Sequence, residues 1–346
     1  KLMKKQHSSK INIFKKLFVK LCRLFGYELI DQSSFSSPTK EKLLNSNLST
    51  PGKKSIVLPL GETKITRNVK HLSVIFRSCT KINMLTQSKK RLFDKNKSEY
   101  TFRSLNSIIK SLKYAQTKFT NVAFDLVVID HDSDENDLKH INNMLENSGF
   151  NNQIISLNVN NYLSNIKNIN DKKENVTSNQ KSNMANIHES LNYAKNHCKD
   201  LIYFVEDDYL HKLNAIEEMI FTYERVSSQV DNELILCPAD YPYLYTKVEP
   251  TSIFLGSKSH WRLVSETLCT FLTSTKIIEK YWNKYVSMCQ FEHYPFEQPL
   301  HEIYKLEYCL SPIPSLALHC TNINSIFGIS PNMDWDKIWN DNDNYK

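Results

Sequence analysis

The sequence predicts an α/β fold built on a doubly wound, mostly parallel sheet. Three observations point to it. From residue 72 onward, apolar runs of strand length alternate with stripes of apolar residues at helical spacing, the pattern of successive β-α-β units. The runs are nearly continuous apolar stretches, broken singly by residues such as Ser73 and Asp125, instead of alternately polar, as expected of strands covered on both faces. One of them, Leu201-Ile-Tyr-Phe-Val205, continues directly into Glu206-Asp207-Asp208. A buried strand therefore ends in three carboxylates that must be paired, solvated or bound to a metal.

Residues 1–70 form a separate basic unit. They carry 15 Lys and Arg against 4 Asp and Glu, whereas residues 71–346 carry 29 against 33, so the net charge of +7 belongs to the N-terminal part and the body is mildly acidic. A nucleic-acid enzyme would spread positive charge over its working face, so no nucleic-acid partner is expected. Within residues 11–30, Phe14, Leu17, Phe18, Leu21, Leu24 and Phe25 recur at helical spacing, interrupted by Lys15, Lys16, Lys20 and Arg23. Those charges rule out a membrane span or a signal-peptide core. Two readings stay open: a basic amphipathic helix lying on an anionic membrane surface, or a helix packed on the protein's own body. Residues 31–70, with Ser-Ser-Phe-Ser-Ser-Pro and Ser-Thr-Pro-Gly, read as a linker.

The body, 71–346, divides at about residue 215. Strands are expected at Leu72–Phe76, Phe124–Ile129, Gln153–Leu157 and Leu201–Val205. The helical stripes between them are Leu105, Ile108, Ile109 and Leu112; Leu138, Ile141 and Leu145; and Met184, Ile187, Leu191 and Ala194. The interval 158–182, rich in Asn and Lys, reads as a mobile surface loop. The second half is less regular. It has strand-like Leu234–Cys237, Leu268–Leu272 and Ser315–Leu318, and helical 275–288 and 298–306. Its aromatic groups, Tyr241-Pro-Tyr-Leu-Tyr245, His260-Trp261-Arg262 and Tyr294-Pro-Phe-Glu297, suit either a surface that stacks on sugars or an aromatic core under long loops.

In a doubly wound sheet ligands bind at the carboxyl ends of the strands. The second strand delivers Asp130-His131-Asp132-Ser133-Asp134 there, and the fourth delivers Glu206-Asp207-Asp208. Extended geometry puts Glu206 and Asp208 on one side and Asp207 on the other. Two acidic side chains facing one point are a usual way to hold Mg²⁺ or Mn²⁺ with a substrate's phosphates. The alternative for Asp208 is an N-cap on the helix implied by Ile216, Met219, Ile220 and Tyr223. With only 6 Gly in 346 residues, the chain has no GxGxxG, GxxxxGK[ST] or GxSxG motif.

The run Leu72-Ser-Val-Ile-Phe-Arg77, the helix from Ser104-Leu105, Val127-Val-Ile-Asp-His-Asp-Ser133, Asn183-Met-Ala-Asn186 with Leu191 and Ala194, and Phe204-Val-Glu-Asp-Asp208 resemble the nucleotide-sugar half of GT-A glycosyltransferases, especially family 2, over residues 72–215. The resemblance implies a Rossmann-like GT-A fold with a nucleotide-sugar half (71–215) and an acceptor half (216–346). It also implies roles: Asp132 on the donor's uracil or ribose with Asp130 supporting it, and Arg77, Asn183, Asn186 and Asp207 around the donor. Glu206 and Asp208 fall in the outer positions of the DXD-type motif, with Glu in place of the usual first Asp, so that position reads either as a metal ligand or as a contact to the sugar, and His319 resembles a further metal ligand. His319 on its own residues reads equally as a surface or capping histidine. The family's usual base is not visible; Glu297 is the substitute chosen here, with Glu292 and Asp240 as rivals.

The expected activity is transfer of a sugar from a nucleotide diphosphate sugar to a glycan or lipid-linked acceptor, with Mn²⁺ or Mg²⁺ as cofactor and inversion if the base is real. Cell-surface polysaccharide or glycolipid synthesis fits that activity. Competing classes are a sugar-nucleotide nucleotidyltransferase and an inactive sugar-binding or scaffold protein. Eight cysteines without a CxxC pair suit a reducing cytoplasm, with the basic helix at the inner face of the membrane.

Overall fold

The computed structural model describes residues 13–27, 55–58, 61–81, 91–246 and 251–345. Most of the expected linker lies outside the described residues. Its last part, Ser55–Leu58 (β1) and Gly61–Lys64 (β2), pairs as an antiparallel hairpin. Before it stands the basic helix, Ile13–Leu24 (α1).

The alternation read from the sequence is present in order: His71–Ser78 (β3), Lys97–Gln116 (α2), Ala123–Asp130 (β4), Glu135–Glu146 (α3), Asn151–Ser156 (β5), Ser178–His197 (α4) and Leu201–Glu206 (β6). The four strands are parallel in the order β5-β4-β3-β6. Side chains of a strand alternate between faces, and here both faces are covered. Val74, Phe76, Leu126, Val128, Tyr203 and Val205 pack with α2 and with Ala215–Val230 (α5). Ile75, Val127, Ile129, Ile202 and Phe204 pack on the other side with α4. A nearly continuous apolar run therefore follows from a strand buried twice.

The second half extends the same sheet. Leu234–Leu236 (β8), Ile253–Leu255 (β9), His260–Leu263 (β10), Phe271–Ser274 (β11) and Tyr308–Ile313 (β12) complete nine strands in the order β5-β4-β3-β6-β11-β8-β12-β10-β9. Only β10 and β11 run against the rest. Three of the sequence expectations shift here. The strand expected at 268–272 forms at 271–274. The helix expected at 275–288 is two, Thr275–Lys280 (α6) and Trp282–Gln290 (α7), broken at Tyr281. The loop at 158–182 is tied down: Ile166 and Val176 are buried, Lys167 N–H donates to the Cys289 carbonyl at 2.7 Å, and Thr177 and Gln180 form a capping box on α4. Gln298–Tyr304 (α8) and Trp335–Asn340 (α9) follow. A two-stranded sheet joins Tyr209–His211 (β7) to Ala317–His319 (β13).

At the amino edge of the sheet, the Glu224 carboxylate of α5 accepts the Val69 N–H at 2.8 Å. Burial outweighs that bond and the nearby Arg67, and pushes the Glu224 carboxyl up to about 7. An acid whose pKa is raised on folding keeps its proton in the native state after the unfolded chain has lost it. Stability therefore falls as pH rises from about 4.5 to about 7, by up to ~1.4 kcal/mol per pH unit. Urea unfolding of wild type and Glu224→Gln across that range is expected to show the loss in the wild type only, the difference between the two cancelling every other titration.

Candidate active site

The register of the parallel strands places the site. Arg77 pairs with Glu206 across β3 and β6, and Ser78 pairs with Asp130 across β3 and β4, so the strand ends finish on one edge. Beyond β6 the chain turns through Asp207 and Asp208 and re-enters as β7, where Tyr209 stands opposite His319 of β13. The Cys320 N–H donates to the Asp208 carbonyl at 2.9 Å, so two stretches more than a hundred residues apart are clipped together. The capping alternative for Asp208 does not hold: α5 begins at Ala215 after Asn214, with β7 in between.

One cavity at this edge is lined by Arg77, Asn183, Asn186, Glu206, Asp207, Asp208, Glu297 and His319, all named from the sequence. The three consecutive acids are dealt with in three ways. Glu206 accepts from Arg77 Nη2 at 2.7 Å. Asp207 turns toward α2, where it pairs with Lys97, accepts from the Thr101 hydroxyl at 2.8 Å and from the Cys79 N–H at 3.3 Å. Asp208 accepts from the Thr321 hydroxyl and lies 3.4 Å from His319 Nε2, both through Oδ2, while its buried Oδ1 has no hydrogen-bond partner. A buried carboxylate oxygen left unpaired is costly, and the partners of Oδ2 have to offset that cost.

Charge holds the pair together. Burial works against ionised Asp208, but the charge and hydrogen bond of His319, the Lys97 ammonium and the Thr321 hydroxyl outweigh it and hold the carboxyl well below the usual carboxylate range. Burial likewise opposes the imidazolium, yet Asp208 and the Phe327 carbonyl raise the His319 pKa above its ordinary value. His319 is fixed by Nδ1 against the Phe327 carbonyl at 2.9 Å and by stacking on Tyr209 at 4.7 Å between centroids, which leaves Nε2 toward Asp208. Among the described residues no three His, Cys, Asp or Glu side chains group as a metal site. Asp208 and a neutral His319 would give a divalent ion two protein donors, with substrate oxygens and water for the remainder, and the imidazole nitrogen suits Mn²⁺ better than Mg²⁺, which takes oxygen ligands. Glu206 lines the same cavity, with one oxygen turned to Arg77.

The second acidic cluster is not on the cavity wall, contrary to expectation. Asp130 is buried, and its oxygens accept from the Ser78 hydroxyl at 2.6 Å, the Ser133 hydroxyl at 2.5 Å and the Ser133 N–H at 3.4 Å. Those serines satisfy the carboxylate where it stands, so it braces the ends of β3 and β4. Asp132 takes a left-handed turn (φ 58°) that carries its side chain outward to Lys81 at 3.3 Å, just beyond Cys79 of the cavity wall. Asp134 caps α3 through the Asn136 N–H. Of the candidate bases, Glu297 alone reaches the cavity. Glu292 is held by Lys167 at 3.0 Å, and Asp240 is buried against Arg262 and the Tyr245 hydroxyl.

Arg91, Lys97, Asn179, Ser182, Thr321 and Asn322 also line the cavity, and the sequence reading missed them. Two of these groups carried a signal. Asn179, Ser182, Asn183 and Asn186 follow i, i+3, i+4, i+7 spacing, one polar face of α4. Thr321 follows His319 by two, the same face of an extended segment. Nothing local marks Lys97 or Arg91.

No protein-family model matches the chain, and no curated protein matches it significantly. Similar solved structures include the galactosyltransferase LgtC in complex with donor and acceptor sugar analogues, at 10% identity and TM-score 0.31 over 66% of this chain and 70% of that one. The apo bifunctional glycosyltransferase WbbM is similar at 11% and 0.34 over 67% and 38%, and UTP-bound UDP-glucose pyrophosphorylase from Acinetobacter baumannii at 8% and 0.33 over 73% and 88%. Glycosyltransferases thus stand among the structures similar to this chain; at such values the likeness decides nothing about its chemistry.

Lys97 and Asp207 are both mostly buried, so Lys97→Met leaves a charge without its counterion. The expected cost in urea unfolding is about 3 kcal/mol. Adding Asp207→Asn to that variant is expected to recover most of it, a coupling that a double-mutant cycle reads directly.

Proposed function

We propose that this chain transfers a sugar from a nucleoside diphosphate sugar to an acceptor hydroxyl. The observation that carries the reading is the cavity at the strand ends, where Asp208, paired with His319, shares one space with Arg77, Arg91, Lys97 and Glu297. Arg77, Arg91, Lys97 and His319 face four carboxylates, Glu206, Asp207, Asp208 and Glu297, on its wall. A bare diphosphate enters such a wall against nearly balanced charge, whereas a diphosphate with a divalent ion is close to neutral overall. A bound Mn²⁺ or Mg²⁺ would be held by Asp208 and His319 and would supply charge neutralisation for the departing diphosphate.

The chain's own residues account for the rest. Lys97, kept in place by Asp207, and Arg77, kept in place by Glu206, present positive charge to phosphate oxygens. On the α4 face the Asn186 amide is spent on the Ile129 carbonyl at 3.0 Å and the Ser182 hydroxyl on His131 at 2.6 Å, so Asn179 and the amide nitrogen of Asn183, whose oxygen accepts from Arg77, are the groups offered to the sugar's hydroxyls. Glu297 takes the proton of the attacking acceptor hydroxyl. A separate base on the cavity wall favours single displacement and inversion at the sugar carbon. The acceptor is a glycan or a lipid-linked sugar met at the periphery of a membrane, a reading that rests on α1.

Asp208→Asn is expected to lower turnover of a nucleotide-sugar panel by at least about 100-fold and to remove Mn²⁺-dependent thermal stabilisation by the matching nucleoside diphosphate. Glu297→Gln is expected to lower kcat by about 100-fold or more with the donor KM unchanged, as loss of a base predicts. The product separates the competing class: a nucleoside diphosphate supports glycosyl transfer, and pyrophosphate formed from a nucleoside triphosphate would replace it with nucleotidyl transfer. Full Mn²⁺-dependent turnover in the Asp208 variant would remove the proposal.

A further inference from the structure

We infer that α1 is a docking surface for an anionic lipid bilayer, on which it lies parallel to the membrane plane. At 100° per residue, Ile13, Phe14, Leu17, Phe18, Leu21 and Leu24 fall within about half the helix circumference, and Lys20 and Arg23 fall in the other half, Lys20 at its border. An apolar stripe of this kind is usually hidden against a core. Here it is not: Ile13 is 73% exposed, Leu17 60%, Phe18 59%, Leu21 51% and Leu24 78%, so the reading of a helix packed on the body is corrected. Phe25 and Tyr27, just past the helix, are exposed as well.

Charge selects the occupant. Residues 1–27 contain eight Lys and Arg and no Asp or Glu, against a mildly acidic body. A second copy of this chain would bring the same positive charge to the contact. A neutral bilayer would use the apolar arc alone. An anionic leaflet uses both, because apolar side chains enter the acyl boundary while the cations sit at the headgroups. No described helix is long and apolar enough to cross a membrane, so the contact is interfacial. It deepens the membrane-side reading of the acceptor and rests on it only for its biological sense.

The test is sedimentation of the full chain with phosphatidylcholine vesicles, plain or containing about a third phosphatidylglycerol. Binding is expected with the anionic vesicles, and is expected to fall by at least about tenfold in Leu17→Gln/Phe18→Gln/Leu21→Gln, in Lys16→Glu/Lys20→Glu and at high salt. The thermal transition of the body should remain unchanged in both variants. Asp208→Asn should bind vesicles like wild type, so failure of lipid binding and failure of glycosyl transfer are told apart. Equal binding to plain phosphatidylcholine, no vesicle binding at all, or a dimer in solution that the triple variant dissolves would each overturn the inference.

Discussion

The cost of keeping Asp208 charged away from water is the constraint around which the site is built. A carboxylate on the turn after a buried strand is tolerated only with a counter-charge and hydrogen bonds supplied at once. His319 supplies the charge, Thr321 the hydroxyl, and the β7–β13 pairing brings both to the spot. The Phe327 carbonyl and the Tyr209 ring in turn fix the imidazole. One buried oxygen is left without a partner, and the function argued above turns on the cavity that Asp208 lines.

The same economy explains how three consecutive acids coexist on one turn. Each is given its own cation: Arg77 from β3, Lys97 from the start of α2, His319 from β13. Three elements that are distant in sequence converge because three adjacent carboxylates would otherwise repel. The cations are thereby aimed into a shared space, where a phosphate group would meet them already oriented.

Much of the first half was legible in the sequence because a parallel strand buried on both faces leaves a mostly apolar run, continuous in β6 and broken only at Ser73 in β3 and Asp125 in β4. The acids at the end of β6 were readable for a similar local reason, since their position follows from where the strand stops, whereas Arg77, Asn183 and Asn186 came only through the family resemblance. Asp130 and Asp132 were misplaced because their fate is decided by Ser78, Ser133 and a left-handed turn, none of which has a pattern in the chain. Lys97 was missed because a lysine near a helix start looks the same whether it meets water or an aspartate. The split of α6 from α7 at Tyr281 and the antiparallel β11 were equally silent, since pairing partners are settled by the whole sheet.

The clip between Asp208 and Cys320 has a bearing on biogenesis. During synthesis the parallel half is complete well before residues 317–321 leave the ribosome, and until then Asp208 lacks its imidazole and its hydroxyl. The nascent domain would hold that turn open to solvent, with the site unformed. Assembly of the reactive centre thus waits for the distal segment, so a truncated product ending before it would carry the sheet but no working cavity.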